Sequence, residues 1–205
     1  AFEQTSSGET LVNLMELDML VGSGGVLSHA PRRHQAARML IDAFLPEGIT
    51  QLAVDSIFMM PQLGILSTIH PAAAVEVFEK DCLIRLGTCI APVGKVKSDQ
   101  IMLHYEISLP DGEISGDLKY GELKLISAPF EPLEAKLTPS KGLNVGAGNN
   151  EIFKTKIFGG VVGIILDGRG RQPFNLSENT ENRVAQLEEW SEEINEYPQL
   201  ENSNV

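Results

Sequence analysis

The stretch that most constrains this chain runs from Glu16 to Phe44, ELDMLVGSGGVLSHAPRRHQAARMLIDAF. Leu17, Met19, Leu20 and Val21 form a short apolar run that stops at a Gly-Ser-Gly-Gly break, the pattern of a strand covered on both faces. Gly22, Gly24 and Gly25 place three glycines in four residues. A turn without Cβ atoms reaches positive φ at little cost and lets a ligand approach the main chain. Beyond it, Pro31 suits a first helical turn because it has no N–H to leave unpaired. Ala37, Leu40, Ile41 and Phe44 then repeat at i, i+3, i+4 and i+7, which marks a buried helix face. A flat ring could lie across such a turn on backbone amides. Equally, many glycine turns after a strand bind nothing. The spacing is not G-x-G-x-x-G, because Leu27 takes the third glycine's place, and no Gly-Lys-Ser/Thr follows to make a Walker loop.

Pro46-Glu47-Gly48 is a turn, and Ile49 to Ser56 a second strand of the same layer. Ile57 to Leu66 is expected as a loop and short strand near the ligand face. Pro71 opens a second helix, with Ala74, Val77, Phe78 and Cys82 on one face. Strand, helix, strand, helix is the order of an α/β half-domain, assigned to residues 1–86. From Leu86 to Leu166 short strands dominate, separated by Pro-Asp-Gly at 110–112 and Gly-Ala-Gly-Asn-Asn at 146–150. Ile101, Leu103, Tyr105, Ile107 and Leu109 alternate with period two. Residues 87–175 are therefore expected to form a mainly antiparallel β module, a barrel or a sandwich. Residues 176–205 are expected as an amphipathic helix capped by Ser177, with Val184, Leu187, Trp190, Ile194 and Tyr197 along one face, and an acidic tail.

The 205 residues carry 28 acidic and 16 basic side chains, a formal net charge of −12. Such a surface disfavours nonspecific binding to nucleic acid or anionic membrane. Cys82 and Cys89 lack a second metal-type pair, so reduced cytosolic thiols are expected rather than zinc. His29, Arg32, Arg33, His34 and Arg38 crowd the start of the first helix, where they suit either phosphates or a solvated surface. Asp55 ends an apolar strand, a place for a ligand-facing carboxylate or a cap. Asp167-Gly168-Arg169-Gly170-Arg171 suits an anion site or a turn held by an Asp–Arg pair. No nucleophile elbow and no carboxylate pair stand out, so neither catalytic nor metal-binding residues are assigned.

The words VGSGGVLSHAP, MLIDAFLPEGITQLAVDSIFMMPQLGILS, HPAAAVEVFEKDCL and LGTCIAPVG follow in order from residue 21 to residue 94. Together they resemble the glutamate mutase accessory family of the MutL type, which is unrelated to DNA mismatch repair. GGVVGIILDGRGRQP at 159–173, Arg183 and Trp190 fit as well. The resemblance implies an ATPase of the actin, heat-shock-chaperone and sugar-kinase superfamily that reactivates an adenosylcobalamin-dependent mutase, its partner. It implies that Gly22, Ser23, Gly24 and Gly25 line the adenosine of ATP or ADP, with Mg2+ on the phosphates. Two Asp-Gly-rich phosphate hairpins would lie upstream in a longer cytoplasmic parent, so the fragment alone is expected to be inactive. A homodimer is left open. Rival readings are a non-enzymatic protein-binding scaffold, or a kinase- or hydantoinase-like enzyme of the same superfamily.

Overall fold

The computed structural model describes residues 12–97, 100–171, 174 and 176–197. The expectations for residues 1–11 and for the tail past residue 197 lie outside them. Strand β1 (Met19–Gly22) runs into the glycine turn, a single helical turn α1 (Gly25–Ser28) and helix α2 (Arg33–Phe44). Pro31 stands just before α2 rather than inside it. Arg32 is extended, with φ −131° and ψ 143°, and its N–H donates to Gln35 Oε1 at 3.3 Å. This backbone state is the one a helix-flanking residue takes. Leu45 ends α2 in the left-handed region at φ 46°, and Pro46 behind it disfavours further helix.

Strand β2 (Gly48–Asp55) follows. Residues 57–66 are not a loop and strand: Met60–Ser67 form helix α3, with Pro61 in its first turn. The Asp55 carboxylate accepts the N–H groups of Met59 and Met60 at 3.1 and 3.0 Å, so a side chain five residues back starts a helix that periodicity did not reveal. Helix α4 (Pro71–Val77) packs on α3 and passes through a π turn, Phe78–Cys82, into β3 (Leu83–Ala91). Of the face expected on α4, Ala74 and Cys82 are buried, and Val77 and Phe78 half-buried.

The remaining strands are β4 (Val93–Gly94), β5 (Ile101–Leu109), β6 (Gly112–Lys119), β7 (Leu123–Ile126), β8 (Pro132–Pro139), β9 (Leu143–Asn144), β10 (Phe153–Phe158) and β11 (Gly163–Asp167). They do not form a barrel. Strands β10-β8-β5-β6 make an open antiparallel sheet, and among the described residues β4 pairs only with β9. β7 and β11 leave that group and complete a five-stranded mixed sheet in the order β1-β2-β3-β11-β7. In it β1 and β2 run parallel, as do β3 and β11; β2 with β3 and β11 with β7 are antiparallel. The sheet thus draws strands from both sides of Leu86.

Parity along the strands explains the layering. Ile165 of β11 faces one way, into a core with Leu86, Cys89, Leu40, Ile41 and Trp190. Ile164 and Leu166 face the other way, into a second core with Ile90, Leu103, Ile107 and Leu137. The five-stranded sheet is therefore covered on one side by helices and on the other by the four-stranded sheet, the arrangement that buries both faces of near-continuous apolar strands. The β3–β11 junction is tight enough to need glycine. Gly87 sits at φ 144°, and a Cβ there would lie 1.7 Å from the Gly163 carbonyl oxygen. The alternation in β5 is interrupted by a register shift between Ile101 and Leu103, which leaves Ile101 exposed and buries Met102.

Helix α5 (Thr180–Glu193) is the last helix among the described residues. Its cap is Asn179, whose Oδ1 accepts the Asn182 N–H at 3.1 Å, and not Ser177. Trp190 anchors it: the indole N–H donates to the Gly121 carbonyl at 2.7 Å, and Phe174 meets the ring edge-on at 5.6 Å.

Candidate functional site

β1 and β2 are parallel neighbours, with Gly22 opposite Val54. Their C-terminal ends therefore deliver Ser23 and Asp55 side by side, at the edge of the sheet where α/β proteins hold ligands. Ser23 donates to Asp55 Oδ2 at 3.2 Å, and the buried Ser28 hydroxyl donates to the Asp55 carbonyl at 2.6 Å. With the Met59 and Met60 amides on the same carboxylate, the loop after β1 and the loop after β2 are tied through one residue. Burial alone would raise the Asp55 pKa. The Met60 and Met59 amides and the Ser23 hydroxyl overcome that and hold it below the usual carboxylate value. Asp55 is thus a fully buried organiser that caps α3 and orients Ser23.

The three glycines divide into two kinds. A Cβ on Gly22 would press on Leu27 Cδ1 at 2.7 Å and Leu40 Cδ2 at 3.0 Å, so Gly22 lets the strand and α2 close up. Gly24 stands at φ 100° and ψ 161°, a conformation that side chains rarely adopt. At Gly24 and at Gly25 a Cβ would meet nothing within 4 Å. The bend is therefore open to the outside and is not filled by its neighbours. Apolar side chains flank it in both tied loops: Val26 is 75 % exposed, and Phe58 is 49 % exposed with φ 57°. A bulky non-glycine residue in the left-handed region stores local strain, and such positions gather at ligand sites.

The cationic cluster at the start of α2 does not form one patch. Arg33 Nη1 donates to the Ser28 carbonyl at 3.1 Å and pins α1. Burial, then Arg32, lowers the His34 pKa, so its ring carries little charge near neutrality. Arg38 faces inward. Its Nε donates to Asp42 Oδ2 at 2.6 Å and its guanidinium lies 5.8 Å from the Trp190 ring centroid. The Asp167–Arg171 segment is likewise turned into the protein. Arg169 is fully buried, bonds Asp167 through Nε at 2.9 Å and Nη2 at 2.7 Å, and reaches Asp42 at 2.6 Å. Arg171 Nη2 adds a bond to Asp167 at 3.1 Å. Burial opposes ionisation of Asp167, but Arg171 and Arg169 outweigh it and hold its pKa far below the ordinary value. These arginines are spent on carboxylates of the chain itself. Cys82 and Cys89 are free and buried; burial, with Asp167 adding to it, pushes the Cys89 thiol up to about 12, so it is protonated at neutral pH.

Two contributors were not singled out from the sequence. Ser28 gave a weak signal, a hydroxyl between the glycine turn and Pro31. Phe58 gave none, since nothing marks a phenylalanine for positive φ. The inward turn of Arg38 was available in the periodicity, because it stands three residues before the buried Ile41, at the edge of that face.

What these elements define is a mixed α/β sheet with an open, glycine-built bend at the ends of two parallel strands. A family model described as MutL protein matches residues 4–82, a stretch that contains this bend and ends at the π turn. Over those residues the chain is similar to that family. No curated protein and no solved structure matches it. Among the described residues, no helix is long and apolar enough to cross a membrane.

Proposed function

We propose that this chain is part of an ATP-dependent reactivating factor for an adenosylcobalamin-dependent mutase such as glutamate mutase. In this reading the main chain of Gly22, Ser23, Gly24 and Gly25 seats the adenosine of ATP or ADP. Hydrolysis, with Mg2+ on the phosphates, depends on residues upstream of this chain. The observation that carries the proposal is the open space at Gly24 and Gly25, beside a buried carboxylate that fixes both flanking loops. The family match supports the mutase as the protein served. Nucleotide-driven movement of the lobes would then release the damaged cofactor, a use of closure common to nucleotide-binding lobes.

Gly25→Val is the discriminating variant. Gly25 lacks the positive φ of Gly24, and its Cβ direction is empty. The substitution therefore obstructs the seat without straining the fold. In calorimetry on the full-length protein, ADP affinity should fall by about tenfold or more, with the melting temperature unchanged. Unchanged ADP affinity would remove the adenosine assignment. ATP-dependent recovery of activity by an inactivated mutase tests the chaperone role separately.

A second reading, a protein-binding scaffold, draws on the hairpin of α3 and α4. Ile65, Ile69 and Val75 are each at least 60 % exposed there, more apolar surface than such short helices usually show to water. It predicts that the mutase binds equally well with and without nucleotide, and that Gly25→Val has no effect on that binding.

A further inference from the structure

We propose that the groove between α2 and α5 docks a basic amphipathic helix of a partner protein. The inference is independent of the adenosine assignment, because no residue of the glycine bend lines the groove. It is an open groove of about 780 Å³. Its floor is apolar: Met39 and Ala43, one turn apart on α2, face Val184 and Leu187, one turn apart on α5. Two such i,i+3 or i,i+4 pairs side by side offer the ridges into which a third helix packs.

The apolar stripe of α5 continues from buried to bare. Trp190 and Ile194 are inside the core at 1 % and 0 % exposure, whereas Val184 is 48 % and Leu187 41 % exposed. The same helix face thus runs out of partners among the described residues where it meets α2.

Charge decides the occupant. Glu188 and Glu196 stand around the groove, and Asp42, also on its lining, is already paired with Arg38 and Arg169. Arg38 is the one cation lining it; its side chain is 9 % exposed, bonded to Asp42, and held over Trp190. Among the described residues, no cation lining the groove is left to pair with Glu188 and Glu196, so a basic partner would meet them. A second copy of this chain would bring the same acidic rim against itself, which repels. The closing segment PQLENSNV has no basic residue to offer. A helix with leucine-like anchors at i, i+3 or i+4 and i+7, and lysine or arginine on its flanks, satisfies both floor and rim.

The test uses the 205-residue chain and a labelled leucine–lysine peptide with helical periodicity, titrated at low salt by fluorescence anisotropy. A scrambled peptide of the same composition and a leucine–glutamate peptide serve as controls. The patterned basic peptide should bind one to one and both controls should bind about tenfold more weakly or worse. Leu187→Ser should weaken binding about tenfold with no change in melting temperature. Glu188→Lys should weaken it and flatten its salt dependence. Equal binding of the scrambled peptide, or indifference to both substitutions, overturns the proposal. A concentration-dependent dimer abolished by Leu187→Ser also overturns it, since the face would then serve self-association. Tight binding that appears only in a chain ending at Tyr197 overturns it too, since the groove would belong to the tail.

Discussion

At the residue scale, neighbouring glycines of one turn have different work. Gly24→Ala forces a Cβ into φ 100° and should cost about 1–2 kcal/mol in chemical denaturation, although the space is free. Gly25→Ala should stay within about 0.5 kcal/mol of the parent. The turn itself was legible in the sequence, because three glycines behind an apolar strand have few other uses. Its division of labour was not: only the position of Leu27 and Leu40 against Gly22 separates packing from access. Asp55 was legible as a strand-end carboxylate, while its hold on Ser23 depends on the register of β1 against β2. Its depressed pKa gives a sign. The carboxylate's bonds stabilise the fold above its unfolded-state pKa, and that contribution is lost as pH falls through the lower folded value. Asp55→Asn should therefore melt lower than the parent at neutral pH, with the gap narrowing on the acid side.

At the scale of the element, α5 depends on one side chain. Trp190 is buried at 1 % exposure, donates to Gly121, and lies beneath the guanidinium groups of Arg38 and Arg169, at 5.8 and 5.2 Å. Trp190→Ala should destabilise the protein by about 3–5 kcal/mol, visible as loss of helical signal at temperatures the parent survives. Periodicity found this helix, since its apolar residues recur at three and four. Periodicity failed at α3. That helix is apolar all round, and its start is set by a carboxylate from the preceding strand. A short helix begun by a side chain of the preceding strand leaves no stripe to read.

At the scale of the molecule, two cores are joined through one sheet and fastened by a buried ion network. Asp167 ends β11, and Arg169 links it to Asp42 of α2. Removing the central carboxylate leaves guanidinium groups buried without their main partner. Asp167→Asn should cost about 3–5 kcal/mol, measured by denaturant unfolding. Replacing all members with apolar residues is expected to cost far less. The network's contribution is present above the ordinary carboxylate pKa and is lost as pH falls toward the much lower folded value. From the sequence, the Asp-Gly-Arg-Gly-Arg run suited an anion site as well as a turn, because the choice depends on Asp42, 125 residues away from Asp167 along the chain. The strand-rich character past Leu86, by contrast, was legible, since it follows from alternation. The exchange of β7 and β11 into the other sheet was not, since alternation says which face a residue takes but not which sheet.

That exchange bears on how the protein is made. β3 is finished by Ala91, but its neighbour on one side, β11, is not synthesised until Gly163–Asp167. For more than seventy residues of elongation an apolar edge waits beside the ribosome with nothing to pair with. A nascent chain arrested near Asn150 should aggregate or hold on to a general chaperone, whereas one carried past Asp167 should release and resist protease.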